Sequence, residues 1–136
     1  MSVEDIARRF VEAINRHDPE AMFEMVEEDY RHIDSEGQIF DGRDEMSIAW
    51  KSFLKTVPDY TIEVSETFVS QGTVILVGKV MGTVASGGEE EPEDFWQTPT
   101  ACRLVISGDR VREFQVFADN ESMRNAMRRA SGRNRI

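Results

Sequence analysis

The sequence is short of the residues that make covalent or metal-held scaffolds. It has one cysteine, Cys102, so no internal disulfide framework and no cysteine-rich metal site is available to it. It has two histidines, His17 and His32, which fall on different predicted elements without ligand spacing to another His or Cys. Neither a glycine-rich phosphate loop nor a nucleophile-elbow serine is present. No run approaches the ~20 apolar residues that span a bilayer, and the acidic start Met-Ser-Val-Glu-Asp-Ile does not read as a secretory signal. Basic residues are outnumbered 16 to 26, which argues against a nucleic-acid phosphate binder. A cytoplasmic protein with no metal, no cofactor, no nucleic-acid partner and no membrane partner is the expectation.

The charge that is there is uneven. All 26 acidic residues and eleven of the basic ones precede Arg124, giving −15, and the last thirteen residues add +5 through Arg124, Arg128, Arg129, Arg133 and Arg135. Such a tail can bind an acidic partner or neutralise the protein's own surface. With 136 residues, the chain is long enough for one domain with a real core. We expect that domain over residues 1–130 and a basic, disordered tail over 131–136.

Hydrophobic spacing predicts the elements. Ser2 with Asp5 forms a capping pattern ahead of the stripe Val3, Ile6, Ala7, Phe10, Val11 and Ile14. Asp18-Pro19 restarts a helix whose apolar side is Met22, Met25 and Val26. Tyr30–Asp34 reads as a strand and Ser35–Gly37 as a turn. Asp41-Gly42 opens a third helix with the stripe Met46, Ala49, Trp50, Phe53, Leu54 and Val57, ended by Pro58. From Tyr60 to Ala118 the chain reads as strands: Ile62, Val64 and Phe68 at period two, then 73–85, 95–106 and 111–118, with the acidic stretch 86–94 as a mobile loop. A short helix over 122–130 follows, with Met123, Ala126, Met127 and Ala130 on one face. Helices first and strands last argue for an α+β fold with a mostly antiparallel sheet covered on one face. Gly78 and Gly82 are bend points that would let that sheet curve and leave a pocket at its open end.

Four segments carry a resemblance: Phe10–Asp18 (FVEAINRHD), with its N-x-x-D turn; Met25–Asp34; Phe40–Asp44; and Val111–Asn120. With the element order, they resemble the nuclear transport factor 2-like superfamily, in its SnoaL-like and ketosteroid isomerase-like branch. The resemblance implies a cone of three N-terminal helices packed on a strongly curved sheet, the cystatin-like fold, and a homodimer built through the sheet face. The apolar residues on both faces of the long strands agree with a dimer. It implies a cavity for a small apolar molecule, and it places Asp34 where the isomerases carry their general base. Their oxyanion-hole tyrosine falls on Phe10 and their protonated aspartate at or beside Ala101, neither of which has a proton to give. Classical ketosteroid isomerisation is therefore not expected.

Alternation puts Tyr30, His32 and Asp34 on one strand face. Asp34 would be the base, His32 an acid or orienting group and Tyr30 a hydrogen-bond donor; the alternative has Asp34 bonded to its own turn at Ser35–Gly37. Asp119-Asn120 offers a polar pair at the pocket mouth, with Asn120 favoured by parity, or a cap for the last helix. Trp50, Trp96, Phe10 and Phe53 would be apolar walls, or plain core. Arg103 would bind an acidic substrate or pair with Asp34 or Glu113. It is followed by Leu104 and Val105, not by the Arg-x-Asp pattern of the superfamily's epoxide hydrolases. The expected function is a small-molecule-binding protein, as a cofactor-independent isomerase, lyase or cyclase working by proton transfer on a small carbonyl compound. The alternatives are a non-catalytic binding or dimerisation module and an epoxide hydrolase-like enzyme.

Overall fold

The computed structural model describes residues 1–86 and 89–133. The chain runs α1 (Val3–Asn15), α2 (Pro19–Met25), β1 (Val26–Ile33), β2 (Ile39–Asp41), α3 (Arg43–Thr56), β3 (Thr61–Ser70), β4 (Thr73–Ser86), β5 (Glu89–Ser107), β6 (Arg110–Ala118) and α4 (Glu121–Arg133). One six-stranded sheet has the order β2-β1-β6-β5-β4-β3. Every pair is antiparallel except β1–β6. This is the expected α+β architecture, with the helices on the inner side of the sheet.

The first helix is built as its sequence suggests. Ser2 and Asp5 form a reciprocal capping box, and Ile6, Ala7, Phe10, Val11, Ala13 and Ile14 are all buried. Phe10 meets Phe114 of β6 edge-on at 5.4 Å and Tyr30 of β1 at 6.2 Å, so α1 plugs the narrow end of the cone. At the end of α1, Asn15 donates through Nδ2 to the Ile62 carbonyl (2.9 Å) and accepts through Oδ1 from the Ile62 amide (2.8 Å). His17, held at φ 56°, donates from Nε2 to the Tyr60 carbonyl at 2.8 Å. Asp18 caps α2 by accepting from the Ala21 amide. The N-x-x-D turn is thus a clamp that fixes where β3 begins.

Two glycines of β4 sit where a side chain has no room. A Cβ on Gly78 would stand 1.8 Å from the Glu63 carbonyl oxygen of β3, and one on Gly82 2.3 Å from the Val57 side chain.

Four details differ from the sequence reading. Val26 begins β1 instead of ending α2; it is extended, and its backbone pairs with Val111 in the parallel ladder. A β-branched residue gives up little there. The bulge between Val64 and Glu66 reverses the parity of β3. Thr67 therefore faces in, bonded to Arg8, and Phe68 faces out, 55% exposed. Residues 89–94 are strand, with Glu89 opposite Ser86 and Glu90 opposite Ala85. Their acidic composition suggested a loop, but the β4 ladder continues through them. Lastly, α4 runs on to Arg133; the rest of the expected tail, residues 134–136, and Gly87-Gly88 lie outside the described residues.

The basic helix neutralises its own surroundings. Arg124 lies 3.8 Å from Glu36, and Arg129 lies 3.7 Å from the buried Asp94 and bonds the Glu93 carbonyl. Phe68, Ile75, Val77, Ala101 and Phe117 form neighbouring rows on the outer sheet face, with Phe117 49% exposed. Among the described residues no helix is long and apolar enough to cross a membrane.

The clamp yields a prediction. Asn15→Ala removes both bonds to Ile62 and leaves a partly buried amide and carbonyl unpaired. It should cost about 2 kcal/mol of unfolding free energy in urea denaturation. A loss below about 0.5 kcal/mol, the level of an ordinary surface change, would contradict the clamp.

Candidate functional site

The cone opens into a cavity of about 290 Å³, at the small end of ligand-binding pockets. His32 comes from β1, Asp34 from the turn that follows it, Phe40 from β2, Trp50 and Phe53 from α3, and Tyr60 from the segment that the Asn15/His17 clamp positions. Trp96 and Thr98 project from β5 and Val116 from β6. Asn120 stands at the foot of α4, and Met123 and Met127 of that helix also line the cavity.

The apolar wall is a connected set of rings. Trp50 and Phe53 meet at 5.9 Å, Phe53 and Tyr60 at 4.9 Å, Trp50 and Tyr60 at 6.0 Å, and Tyr60 and Trp96 at 6.2 Å. His32 stacks on Phe114 at 5.5 Å and meets Trp50 edge-on at 5.7 Å. The indole N–H groups of Trp50 and Trp96 are buried without a hydrogen-bond partner among the described residues.

His32 is 7% exposed. Burial pushes its pKa down to about 4, with the Asp34 charge acting weakly the other way, so the ring is neutral at pH 7. Beneath it Tyr30 is fully buried, and its hydroxyl lies 3.4 Å from His32 Nδ1. Burial, with the Glu113 charge second, holds the Tyr30 hydroxyl well above its usual pKa, so it keeps its proton. The arrangement that satisfies both groups has Tyr30 donating to Nδ1. The ring proton then sits on Nε2, which has no partner among the described residues. His32 is therefore a neutral hydrogen-bond donor.

Asp34 lines the cavity, and its Oδ1 accepts from the backbone amides of Glu36 and Gln38, both at 2.9 Å. That carboxylate shapes the turn that carries Ser35. Ser35 Oγ in turn donates to Asn120 Oδ1 at 2.6 Å, which leaves the Asn120 amide group as a second donor at the site.

The sequence-predicted residues divide. His32, Asp34, Trp50, Phe53, Trp96 and Asn120 come together around the cavity. Tyr30 and Phe10 do not line it: both are fully buried in the floor, because Tyr30 lies one strand repeat deeper than His32 and packs on Phe10. Arg103 points to the opposite sheet face, where its Nη1 meets Glu113 Oε1 at 2.7 Å. Asp119 faces away as well and accepts from the Glu121 amide at the start of α4. Ala101, on the outer face, is flanked by the inward Thr100 and Cys102, and burial pushes the Cys102 thiol up to about 12. The sequence reading missed several lining residues, Ser35, Glu36, Phe40, Tyr60 and Thr98 among them. Thr98 was accessible from the alternation that begins at Trp96, and Ser35 from its adjacency to Asp34. Tyr60 and Phe40 lie beside turns, where no periodicity marks a face. Among the described residues no three His, Cys, Asp or Glu side chains gather as a metal site requires.

The buried His32 couples protonation to stability. Its pKa is depressed on folding, so its contribution is intact above the unfolded value of 6.5 and is lost as pH falls towards 4. The loss should reach about 3 kcal/mol, by ~1.4 kcal/mol per unit. NMR should show the His32 ring neutral at pH 6 and titrating near 4. A midpoint near 6.5 would contradict the burial argument.

The SnoaL-like domain family profile matches residues 7–114. No curated protein sequence matches the chain. Solved structures share the fold at low identity. A candidate SnoaL-like polyketide cyclase from Shewanella denitrificans superposes with a TM-score of 0.80 at 14% identity, over 93% of this chain and 97% of that one. A protein with a ketosteroid isomerase-like fold from Catenulispora acidiphila, solved in complex with trimethylamine, gives 0.77 at 17% identity, over 87% and 88%. A cystatin-fold protein from Novosphingobium aromaticivorans gives 0.69 at 13% identity, over 86% and 98%. The profile match over most of the chain, on a fold those structures share, establishes that this protein belongs to the SnoaL-like domain family.

Proposed function

We propose that the protein binds a small carbonyl compound in the cone and catalyses a cofactor-independent proton transfer on it, as an isomerase, lyase or cyclase. The observation that carries this reading is the segregation of the polar groups. In an otherwise apolar, aromatic-walled cavity, one carboxylate, Asp34, stands with two uncharged donors, His32 Nε2–H and the Asn120 amide.

In that reading Asp34 removes a proton from the carbon next to the substrate carbonyl. The C–H electron pair moves into the new C=C bond and the carbonyl oxygen becomes an enolate oxygen. His32 and Asn120 hold that oxygen. A neutral imidazole is suited to this, since it donates a hydrogen bond without giving up its proton. The proton on Asp34 returns to another carbon in an isomerisation; a β-leaving group departs in a lyase reaction; the enolate carbon attacks a second carbonyl in a cyclisation. Tyr30 acts through His32, as the group that fixes its tautomer. The His32/Asn120 pair takes the place of the oxyanion-hole tyrosine, which falls here on Phe10, and of the aspartate, which falls at or beside the outward-facing Ala101.

One observation favours the alternative of a non-catalytic binding module: Asp34 Oδ1 already carries two amide bonds of its own turn. Such bonds stabilise a carboxylate and weaken it as a base. Arg103, turned away from the cavity and paired with Glu113, counts against an epoxide hydrolase-like reaction. The apolar rows around Phe68, Ile75 and Phe117 support a homodimer through the outer sheet face.

Two experiments test these readings. Proton exchange at the α-carbon of a panel of small ketones in D2O, followed by NMR, should fall roughly 10²- to 10⁴-fold in Asp34→Asn, which keeps the oxygen that holds the turn. No exchange by the parent protein, or equal exchange by the variant, would leave the binding-module reading. Light scattering after size exclusion should give about twice the chain mass, and Phe117→Lys should shift the protein to monomer; a monomeric parent would remove the dimer.

A further inference from the structure

The residues around the cavity also constrain the charge of what it holds. Its lining includes two carboxylates, Asp34 and Glu36, and no lysine or arginine. Burial keeps His32 neutral. Arg124, outside the lining, lies 3.8 Å from the exposed Glu36 at the rim. Inside the cavity a ligand bearing a carboxylate or phosphate would meet Asp34 with no lysine or arginine in the lining to offset it. The protein as a whole, at −10, adds a field of the same sign.

The walls supply what a cation needs. The planes of Trp50 and Phe53 stand at 86°, as do those of Phe53 and Tyr60, so neighbouring walls meet at right angles. Tyr60 leads on to Trp96 at 41°. Four aromatic rings around a small cavity, with carboxylates at one side, make the arrangement that recognises alkylated ammonium groups. The π faces attract the charge, and the apolar walls suit the methyl groups.

We propose that the cavity selects a small molecule carrying an alkylated ammonium group, held among Trp50, Phe53, Tyr60 and Trp96 with Asp34 supplying the negative charge. The inference rests on reading this cavity as a small-molecule site. Joined to the proposed reaction, it narrows the substrate class to carbonyl compounds that bear such a group and no free acid.

The test uses three probes of one shape and different charge: choline, the neutral 3,3-dimethylbutan-1-ol and the anionic 3,3-dimethylbutanoate. Each is titrated into the full-length chain by calorimetry at pH 7 and low salt, with the fluorescence of Trp50 and Trp96 as a second readout. Choline should bind at least about fivefold more tightly than the alcohol, the factor one cation–π contact supplies, and the anion should be the weakest. Phe53→Leu, at a partly buried position, should weaken choline about fivefold and leave the alcohol within about twofold. Asp34→Asn should narrow the gap between choline and the alcohol. An alcohol that binds as well as choline overturns the charge preference while leaving the small-molecule reading standing. Absence of binding by all three overturns the ammonium proposal. Choline binding in a protein that exchanges no ketone protons would retain the ammonium site and remove the proton-transfer chemistry.

Discussion

The open end of this fold depends on an aromatic column that starts at Phe10. Phe10 packs on Tyr30 and Phe114, Phe114 stacks under His32, and His32 leads through Trp50 and Tyr60 to Trp96. The column excludes water from the cone floor, and that exclusion decides the chemistry above it. It neutralises His32, keeps the proton on Tyr30 and so sets which ring nitrogen carries the proton. The Phe10 position carries no hydroxyl and is spent on packing.

The same column needs the sheet to wrap around it. Gly78 and Gly82 let β3 and Val57 approach β4 closely, and the Asn15 and His17 clamp fixes the sheet's far edge by gripping Ile62 and Tyr60. The turn between the first two helices is thus coupled to the site: it places Tyr60, a wall of the cavity, some forty-five residues downstream. On the opposite side Ser35 and Asn120 tie the β1–β2 turn to the start of α4, whose Met123 and Met127 line the cavity. Asp34 is the keystone of that turn through Oδ1, which accepts from the Glu36 and Gln38 amides.

Much of this was legible in the sequence, because most of the elements follow simple periods. The α1 stripe, the capping box, the Asp18 cap and the third helix all have one buried face and regular spacing, and they form as read. His32, Asp34 and Asn120, all named from alternation, line one cavity, while Asp119 faces away. The failures have local causes. A single bulged residue in β3 turned Phe68 outward, and composition cannot reveal a bulge. The acidic run 89–94 looked like a loop because charge says nothing of a ladder bond to β4. Tyr30 shares a face with His32 yet not a compartment, since alternation gives direction and not depth. Arg103 had two carboxylate partners open to it, and the sheet's own pairing chose Glu113.

The central claim is that a small oxygen-bearing molecule sits above this column within reach of His32 and Asn120. A high-resolution crystal structure of the protein purified without added ligand tests it most directly. The account predicts density for a bound molecule in the cone, with an oxygen within hydrogen-bond distance of His32 Nε2. A cavity closed by the collapse of Trp50 and Met127 onto the floor, leaving no room for a ligand, would contradict it.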